Sequence, residues 1–215
     1  VVHFINQMLS ASDGGSVGSL PNIGILRLGT GNALAQMVSS GNYACDLRNF
    51  VGNTHKDYQV LPLVEYEQRR FPFAGVGWDA ELLNDYRFVK QALQDTPLSG
   101  VVENVGGYFA ALFARTLPRR LMSLLRPRRV DARIVTKGWA HAMAPDGSRV
   151  GVIEPGKVLF EGPINCVLAG TCPFYGYGMK VLPFANISPD MMHLRVATLG
   201  LPRLLANLPR VWNGR

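Results

Sequence analysis

The feature that most constrains this fold is a series of short apolar runs in the second part of the chain. Turn signals separate the runs, among them Pro145-Asp146-Gly147 and Pro155-Gly156, and runs of this length and composition favour β-strands. The predicted strands are residues 60–64, 71–76, 130–135, 150–153, 158–160, 164–168 and 194–197. We therefore expect a mostly β domain over residues 51–215, after a boundary near residues 46–58.

The first 50 residues follow a different pattern, which predicts a partial α/β layer. Val2, Ile5 and Leu9 recur at helical spacing, and residues 10–19 are rich in Ser and Gly, which indicates a loop. A short apolar run then predicts a buried strand at residues 23–28, and a helix is predicted at residues 32–38. This order is typical of an α/β layer. Further helices are predicted at residues 81–93, 105–117 and 201–212.

Composition excludes several classes of protein. No apolar run approaches the ~18 residues that a membrane-spanning helix needs. Cys45, Cys166 and Cys172 have no paired Cys-x-x-Cys spacing, so neither a disulfide framework nor a zinc site is predicted, and reduced, buried cysteines in a cytoplasmic protein are expected. The four histidines lack metal-ligand spacing, and there is no Gly-x-Ser-x-Gly elbow of a serine hydrolase.

The net charge of +7 is concentrated in one stretch, the arginine segment at residues 115–129. It lies in a region without acidic residues and contains Arg115, Arg119, Arg120, Arg126, Arg128 and Arg129. Leucines interleave with the arginines, and this mixture suits an anionic membrane surface, where guanidinium groups meet lipid phosphate. The alternative is a solvated basic helix whose leucines face the protein's own core. Nucleic acid is not expected as a partner, because no base-stacking aromatic set accompanies the arginines.

The stretch ILRLGTGNALAQ, residues 25–36, joins a predicted strand to a predicted helix. At such a joint the first N–H groups of the helix are unpaired and carry the positive end of its dipole. Gly29 and Gly31 lack a Cβ, so a phosphate or ribose can approach the main chain, and Thr30 and Asn32 add polar side chains. The alternative is a plain turn in which Asn32 caps the helix.

Three stretches resemble, in order, the diacylglycerol kinase and sphingosine kinase family of lipid kinases. ILRLGTGNALA resembles the nucleotide loop of that family, which often reads Pro-Leu-Gly-Thr-Gly-Asn-Asp-x-Ala. FAGVGWDAE, residues 73–81, resembles its Gly-Phe-Asp-Ala signature near the substrate cleft. CPFYGYGMKVLPFANISPD, residues 172–190, resembles its Tyr-Tyr-Gly-Gly-Gly-Met…Pro-x-Ala stretch, which an aspartate follows.

The resemblance implies an α/β nucleotide-binding domain followed by a β-sandwich lipid-substrate domain with helical insertions. It assigns ATP contacts to Gly29, Thr30, Gly31 and Asn32. It implies that Asp79 lies near the substrate hydroxyl or headgroup and that Asp190 helps to hold a structural magnesium ion. From the residues alone, Asp79 could equally cap a helix that starts at Ala80, and Asp190 could be a plain turn residue. Gly176 and Gly178 are expected to permit a close backbone turn.

The chain also departs from the family pattern. Arg27, Ala33, Gly170 and Met191 replace residues that are common in the family. The Gly-Gly-Asp-Gly-Thr loop that cradles phosphate and the closing Asp-Gly-Glu motif, which is tied to metal and catalysis, do not occur in the sequence. We therefore expect the chain to be an incomplete portion of such a kinase that is inactive by itself, and the sequence assigns no catalytic residue.

Three functional hypotheses follow. The leading one is an ATP- and magnesium-dependent lipid kinase, a cytoplasmic transferase that attaches peripherally to membranes and phosphorylates a diacylglycerol- or sphingosine-like lipid. The alternative is a module of the same fold that binds lipid or nucleotide without catalysis. The third is a basic adaptor on a membrane surface.

Overall fold

The computed structural model describes residues 1–11, 22–28, 32–52, 58–93, 95–96, 118 and 130–215. The helices in these ranges are α1 (Val2–Ala11), α2 (Ala33–Met37), α3 (Tyr43–Val51), α4 (Trp78–Leu93), α5 (Leu201–Ala206) and α6 (Leu208–Trp212). The strands are β1 (Val64–Tyr66), β2 (Arg69–Phe71), β3 (Phe73–Gly77), β4 (Val130–Val135), β5 (Ala140–Met143), β6 (Arg149–Ile153), β7 (Val158–Ile164), β8 (Cys166–Gly170) and β9 (His193–Ala197). The helix predicted at residues 105–117 lies outside the described residues.

The fold of the described residues is mixed α/β, with about 30% helix and 28% strand, and their strands form several small antiparallel sheets. β1 pairs with β2, β4 with β7, and β5 with β6. In a further sheet β8 lies between β3 and β9. The mixture of helices and strands was predicted, whereas the finer description as a nucleotide-binding layer and a β-sandwich stays a prediction.

Contacts divide the chain into two compact units. Unit 1 comprises residues 1–74, 169–194 and 211–214, and unit 2 comprises residues 75–168, 195–210 and 215. Each unit therefore contains segments that are distant in sequence. The division into domains at residue 50 stays a prediction.

Most of the predicted elements are present with shifted ends, but the strand prediction is wrong at residues 60–63, and the helix predicted at residues 201–212 is divided into α5 and α6. The strands predicted at residues 130–135, 150–153 and 194–197 are confirmed as β4, β6 and β9. The helix predicted at residues 81–93 is confirmed as α4, which begins earlier, at Trp78.

The strand predicted at residues 23–28 is wrong. The structure assigns no strand there, and the Leu28 N–H donates to the Leu26 carbonyl at 3.0 Å, which closes a tight turn. Ile23 and Leu28 are exposed over 41% and 68% of their surface, whereas Ile25 packs against a buried cluster. A short apolar run does not by itself distinguish a strand from an irregular segment that buries one side chain.

Helix α3 was not predicted, although the sequence carries a sign of it. The Asn42 side-chain oxygen accepts hydrogen bonds from the N–H groups of Ala44 at 2.9 Å and Cys45 at 3.3 Å. Asn is among the preferred N-cap residues because it satisfies such otherwise unpaired donors. The stretch was instead assigned to the boundary between domains.

In unit 1, a side chain of α1 forms hydrogen bonds with the backbone of β2. The Asn6 side-chain oxygen accepts from the Arg70 N–H at 2.8 Å, and Asn6 Nδ2 donates to the Arg70 carbonyl at 2.6 Å. One amide thus satisfies both backbone groups of a strand residue, as a strand partner would. This pair fixes the position of the helix along the strand.

In unit 2, polar turns close the β-hairpin of β5 and β6. Asp146 accepts hydrogen bonds from the Ser148 N–H at 2.9 Å and from its hydroxyl at 2.7 Å, and Gly147 has a φ of 88°. These hydrogen bonds from Ser148 hold the pKa of the Asp146 carboxyl below its ordinary value. The turn predicted at Pro145-Asp146-Gly147 is confirmed. Among the described residues, no helix is both long and apolar enough to cross a membrane.

The cysteines are all free but differ in their surroundings. Cys166 and Cys172 are each 1% exposed, as predicted, whereas Cys45 is exposed, so the prediction of a buried thiol is wrong at that residue. Burial, with a smaller contribution from the nearby Asp79 charge, raises the pKa of Cys166 to about 12. Burial also raises the pKa of Cys172.

We expect iodoacetamide to alkylate Cys45 in the native protein and to leave Cys166 and Cys172 unmodified, because alkylation needs an accessible thiolate. Peptide mass spectrometry measures the three sites separately. In urea all three should react, and a Cys45→Ser variant should show no native labelling. Native labelling of Cys172 at the rate of Cys45 would contradict the burial described here.

Candidate functional site

The glycine-rich loop predicted to bind ATP is only partly described. Gly29, Thr30 and Gly31 lie outside the described residues, so their contacts with ATP stay a prediction. Asn32 has a φ of 50°, in the left-handed region, and directly precedes α2. Asn32 occupies the N-cap position of α2, but its side chain makes no capping hydrogen bond to that helix.

The helix that follows this loop packs against the start of the third motif stretch. Leu34 and Met37 of α2 form a buried cluster with Cys172. The Cys172 thiol lies 3.9 Å from the Ala33 carbonyl, within the range of a weak sulfur hydrogen bond, and 3.3 Å from the Phe174 carbonyl. The first turn of α2 is thereby fixed to the segment that begins CPFYGYGMK.

The GYGM part of that segment forms a tight backbone turn. The Tyr175 N–H donates to the Met179 carbonyl, and the Met179 N–H donates to the Gly176 carbonyl, each at 2.9 Å. Gly176 and Gly178 have φ values of 135° and 81°. Glycine adopts this region without steric cost, so the prediction that Gly176 and Gly178 permit a close turn is confirmed.

The second motif stretch reaches the same cluster through its first residue. Phe73 packs against the cluster of Leu34, Met37 and Cys172, and its ring centroid lies 4.6 Å from that of Tyr175. Residues from all three motif stretches therefore meet within unit 1. The members packed around the cluster are Val2, Ile25, Ala33, Leu61, Phe73 and Phe174.

The other end of β3 places Asp79 at the beginning of α4. The Trp78 N–H donates to the Asn165 carbonyl at 3.0 Å, beside Gly77, which has a φ of 97°. A Cβ on Gly77 would overlap the same Asn165 carbonyl, and it would lie 3.0 Å from the Asn165 carbonyl carbon. The change from strand to helix within one residue thus depends on a glycine at position 77.

Asp79 is partly buried and lies in the first turn of α4, where its charge complements the positive end of the helix dipole. Because α4 begins at Trp78, Asp79 is inside the helix rather than capping it. Its N–H donates a hydrogen bond to the Cys166 sulfur, which lowers the pKa of that thiol, although burial and the Asp79 charge outweigh this effect. The carboxylate lies over Gly75, whose missing Cβ leaves space for it.

Sequence reasoning singled out Asp79 but missed Gly75 and Cys166, the residues next to it. The signal for Gly75 was present, because a glycine inside a strand often marks the close approach of another group. Nothing in the sequence linked Cys166 to Asp79, since the two are far apart along the chain.

Asp190, predicted to help hold magnesium, lies exposed in a turn in which the Met191 N–H donates to the Ser188 carbonyl at 3.3 Å. No group of three His, Cys, Asp or Glu side chains that could hold a metal ion occurs within the described ranges. Mg²⁺ prefers octahedral oxygen ligands, so an exposed carboxylate in a turn supplies only part of such a site. The magnesium role of Asp190 stays a prediction.

The arginine segment lies outside the described residues. Its six arginines carry the predicted contact with an anionic membrane surface, and that contact stays a prediction.

Comparisons with known proteins add no further assignment. The chain matches no protein-family model, no curated protein and no solved structure. The resemblance of the three motif stretches therefore rests on the residues themselves and on their arrangement.

We expect Gly77→Ala to lower the free energy of unfolding by about 1–3 kcal/mol, because a side chain at this φ is strained and would overlap the Asn165 carbonyl. Urea unfolding followed by circular dichroism measures the change. Gly151→Ala is the matched control, since a Cβ there meets nothing within 4 Å. Equal stability of the two variants would contradict the requirement for glycine at the joint.

Proposed function

We propose that this protein acts as an ATP-dependent lipid kinase, which transfers a phosphoryl group from ATP to a hydroxyl of a diacylglycerol- or sphingosine-like lipid. One observation carries the proposal. The three motif stretches that resemble the lipid kinases are distant in sequence, yet each contributes to one buried cluster, through Leu34, Phe73 and Cys172. A chance resemblance in three separate stretches would not require their side chains to pack together.

In this proposal the loop before α2 binds the phosphates of ATP. Gly29 and Gly31 leave the main chain open, Thr30 offers a hydroxyl, and Asn32 leads into the helix. The contacts of α2 with Cys172 and Phe174 support the loop from one side, because they fix the first residues that follow it. A bound nucleotide gains affinity when the groups that hold it are ordered beforehand.

The proposed role of Asp79 is to accept a hydrogen bond from the lipid hydroxyl or headgroup. Asp79 is partly exposed at the start of α4, and its carboxylate lies over Gly75. In the reaction a bond forms between the hydroxyl oxygen and the γ-phosphorus, the bond to the bridging oxygen of ADP breaks, and the proton of the hydroxyl group passes to bulk water. Phosphoryl transfer depends mainly on positioning and on charge stabilisation. Asp190 would supply only part of a magnesium site, since no group of three side chains that could hold a metal ion occurs within the described ranges, and a bound ion would stabilise the charge of the phosphates.

The alternative, a module that binds lipid or nucleotide without catalysis, shares the first half of this proposal. The two differ in one measurement. A protein that binds ATP and lipid but transfers no phosphate in a radiolabelled assay is such a module, whereas lipid phosphorylation identifies the kinase.

The nucleotide role of the loop is tested by Gly31→Val. If the Gly31 backbone meets a phosphate or ribose, a branched side chain blocks that approach. A hydrogen bond to a charged group contributes roughly 1.5–3 kcal/mol, so we expect affinity for a non-hydrolysable ATP analogue to fall at least about tenfold. Isothermal titration calorimetry measures the affinity.

Gly41→Val is the matched control for this experiment, because a Cβ at Gly41 meets nothing within 4 Å. It should bind the analogue as the wild type does. Equal affinity in the wild type and in a folded Gly31→Val variant would overturn the nucleotide role of the loop.

The membrane contact of the arginine segment is tested by a variant in which Gln replaces Arg119, Arg120, Arg128 and Arg129. We expect binding to anionic vesicles to weaken by about 1 kcal/mol for each arginine near the surface, and to fall with salt as screening increases. Cosedimentation with phosphatidylserine-containing vesicles measures the partitioning, and pure phosphatidylcholine vesicles give the baseline.

A matched variant separates this site from the effect of net charge. It replaces four exposed basic residues of unit 2 by Gln, namely Arg133, Lys137, Arg149 and Lys157. This variant loses the same charge but should keep most of its vesicle binding. An equal loss of vesicle binding in the two variants would contradict a specific role of the arginine segment. It would indicate a nonspecific attraction of a basic protein to anionic lipid.

A further inference from the structure

Gly75 is a glycine for a different reason from Gly77. Its φ does not lie in the positive region that favours glycine, so its backbone conformation is open to other residues. Position 75 instead has no space for a side chain. A Cβ at Gly75 would overlap the Asp79 carboxylate and would lie 2.5 Å from Leu168 Cδ2.

These two neighbours are chemically different. Leu168 is a buried core residue that meets the added carbon with the end of its side chain. Asp79 has a short side chain on the first turn of α4, and its N–H is hydrogen-bonded to the Cys166 sulfur. The helix and this hydrogen bond hold the Asp79 backbone in place. A methyl group at position 75 would therefore force the Asp79 carboxylate to rotate away from its present position.

We propose that Gly75 is a positioning residue for Asp79: its missing side chain provides the space that holds the carboxylate and sets the direction in which it meets a ligand. The inference that this ligand is a lipid hydroxyl rests on the proposed function. The positioning itself rests on the contact between Gly75 and Asp79 within unit 2. A larger residue at position 75 would leave Asp79 in the sequence but turn its carboxylate away.

A double-mutant cycle on thermal stability tests the positioning without any ligand. Gly75→Ala should lower the melting temperature, and Asp79→Ala in the same chain should relieve part of that loss, because the carboxylate that the new methyl group displaces is gone. Leu168→Val in the Gly75→Ala background removes the overlap with Leu168 Cδ2. It measures how much of the fall in melting temperature comes from that overlap. Additive shifts for Gly75→Ala and Asp79→Ala would overturn the proposal.

Lipid binding supplies a readout that simple destabilisation does not move. The probes are dioctanoylglycerol and sphingosine in detergent micelles, with affinity measured by calorimetry well below the melting temperature of every variant. A hydrogen bond to a charged group contributes roughly 1.5–3 kcal/mol, so Asp79→Ala should weaken binding of the preferred probe about tenfold or more. Gly75→Ala should weaken it similarly, and the double variant no further.

Combining Leu168→Val with Gly75→Ala should recover only the part of the lost stability that comes from the overlap with Leu168, and it should not restore lipid affinity. This separates the displaced carboxylate from general loss of packing. The controls are Gly151→Ala, with open space around its Cβ, and Glu81→Ala, which removes another first-turn acid of α4. Both should bind the probe as the wild type does.

The two possible failures are distinguishable. Coupled melting temperatures together with unchanged lipid affinity in Asp79→Ala would support the positioning and overturn the lipid role of Asp79. Weakened lipid binding in Asp79→Ala together with normal binding in a folded Gly75→Ala would support that role and overturn the positioning.

Discussion

The close approach of β3 and β8 is the constraint on which the candidate site depends. The Thr171 N–H, directly after β8, donates to the Pro72 carbonyl at 2.8 Å, and the Trp78 N–H, directly after β3, donates to the Asn165 carbonyl at 3.0 Å. The first pair lies in unit 1 and the second in unit 2. The residue that precedes β3 thus bonds to the residue that follows β8, and the residue that precedes β8 bonds to the residue that follows β3. This is the pattern of an antiparallel pair.

Glycines make this approach possible at each place, but for separate physical reasons. A Cβ on Gly170 would lie 2.6 Å from the Pro72 carbonyl oxygen, so the strand tolerates no side chain there. A larger residue would not fit at position 170 of this backbone. At Gly77 there is likewise no space for a Cβ, and the φ is also positive. At Gly75 there is no space for a Cβ, but the φ is not positive. Of Gly75, Gly77 and Gly170, only Gly77 has a backbone conformation that itself favours glycine.

The sequence predicted elements whose signals are local and missed contacts that join distant residues. Short apolar runs between turn signals identify β4 and β6, and Pro145-Asp146-Gly147 identifies a turn, because each signal lies within a few neighbouring residues. The apolar run at residues 23–28 gave a wrong strand, since pairing depends on a partner that the run does not contain. Likewise Asp79 could be singled out from its motif, but its neighbour Cys166 belongs to β8 and is brought beside it only by folding.

The Cys166 thiol beside Asp79 is uncharged at neutral pH, and this bears on what a ligand would meet. Burial and the Asp79 charge together raise the pKa of Cys166 to about 12, so the thiol stays protonated in neutral solution. Two anions this close would repel each other and any anionic group of a ligand. A protonated cysteine avoids that repulsion and still accepts the Asp79 N–H through its sulfur. Cys166 therefore acts as a small, neutral backing group beside the Asp79 side chain.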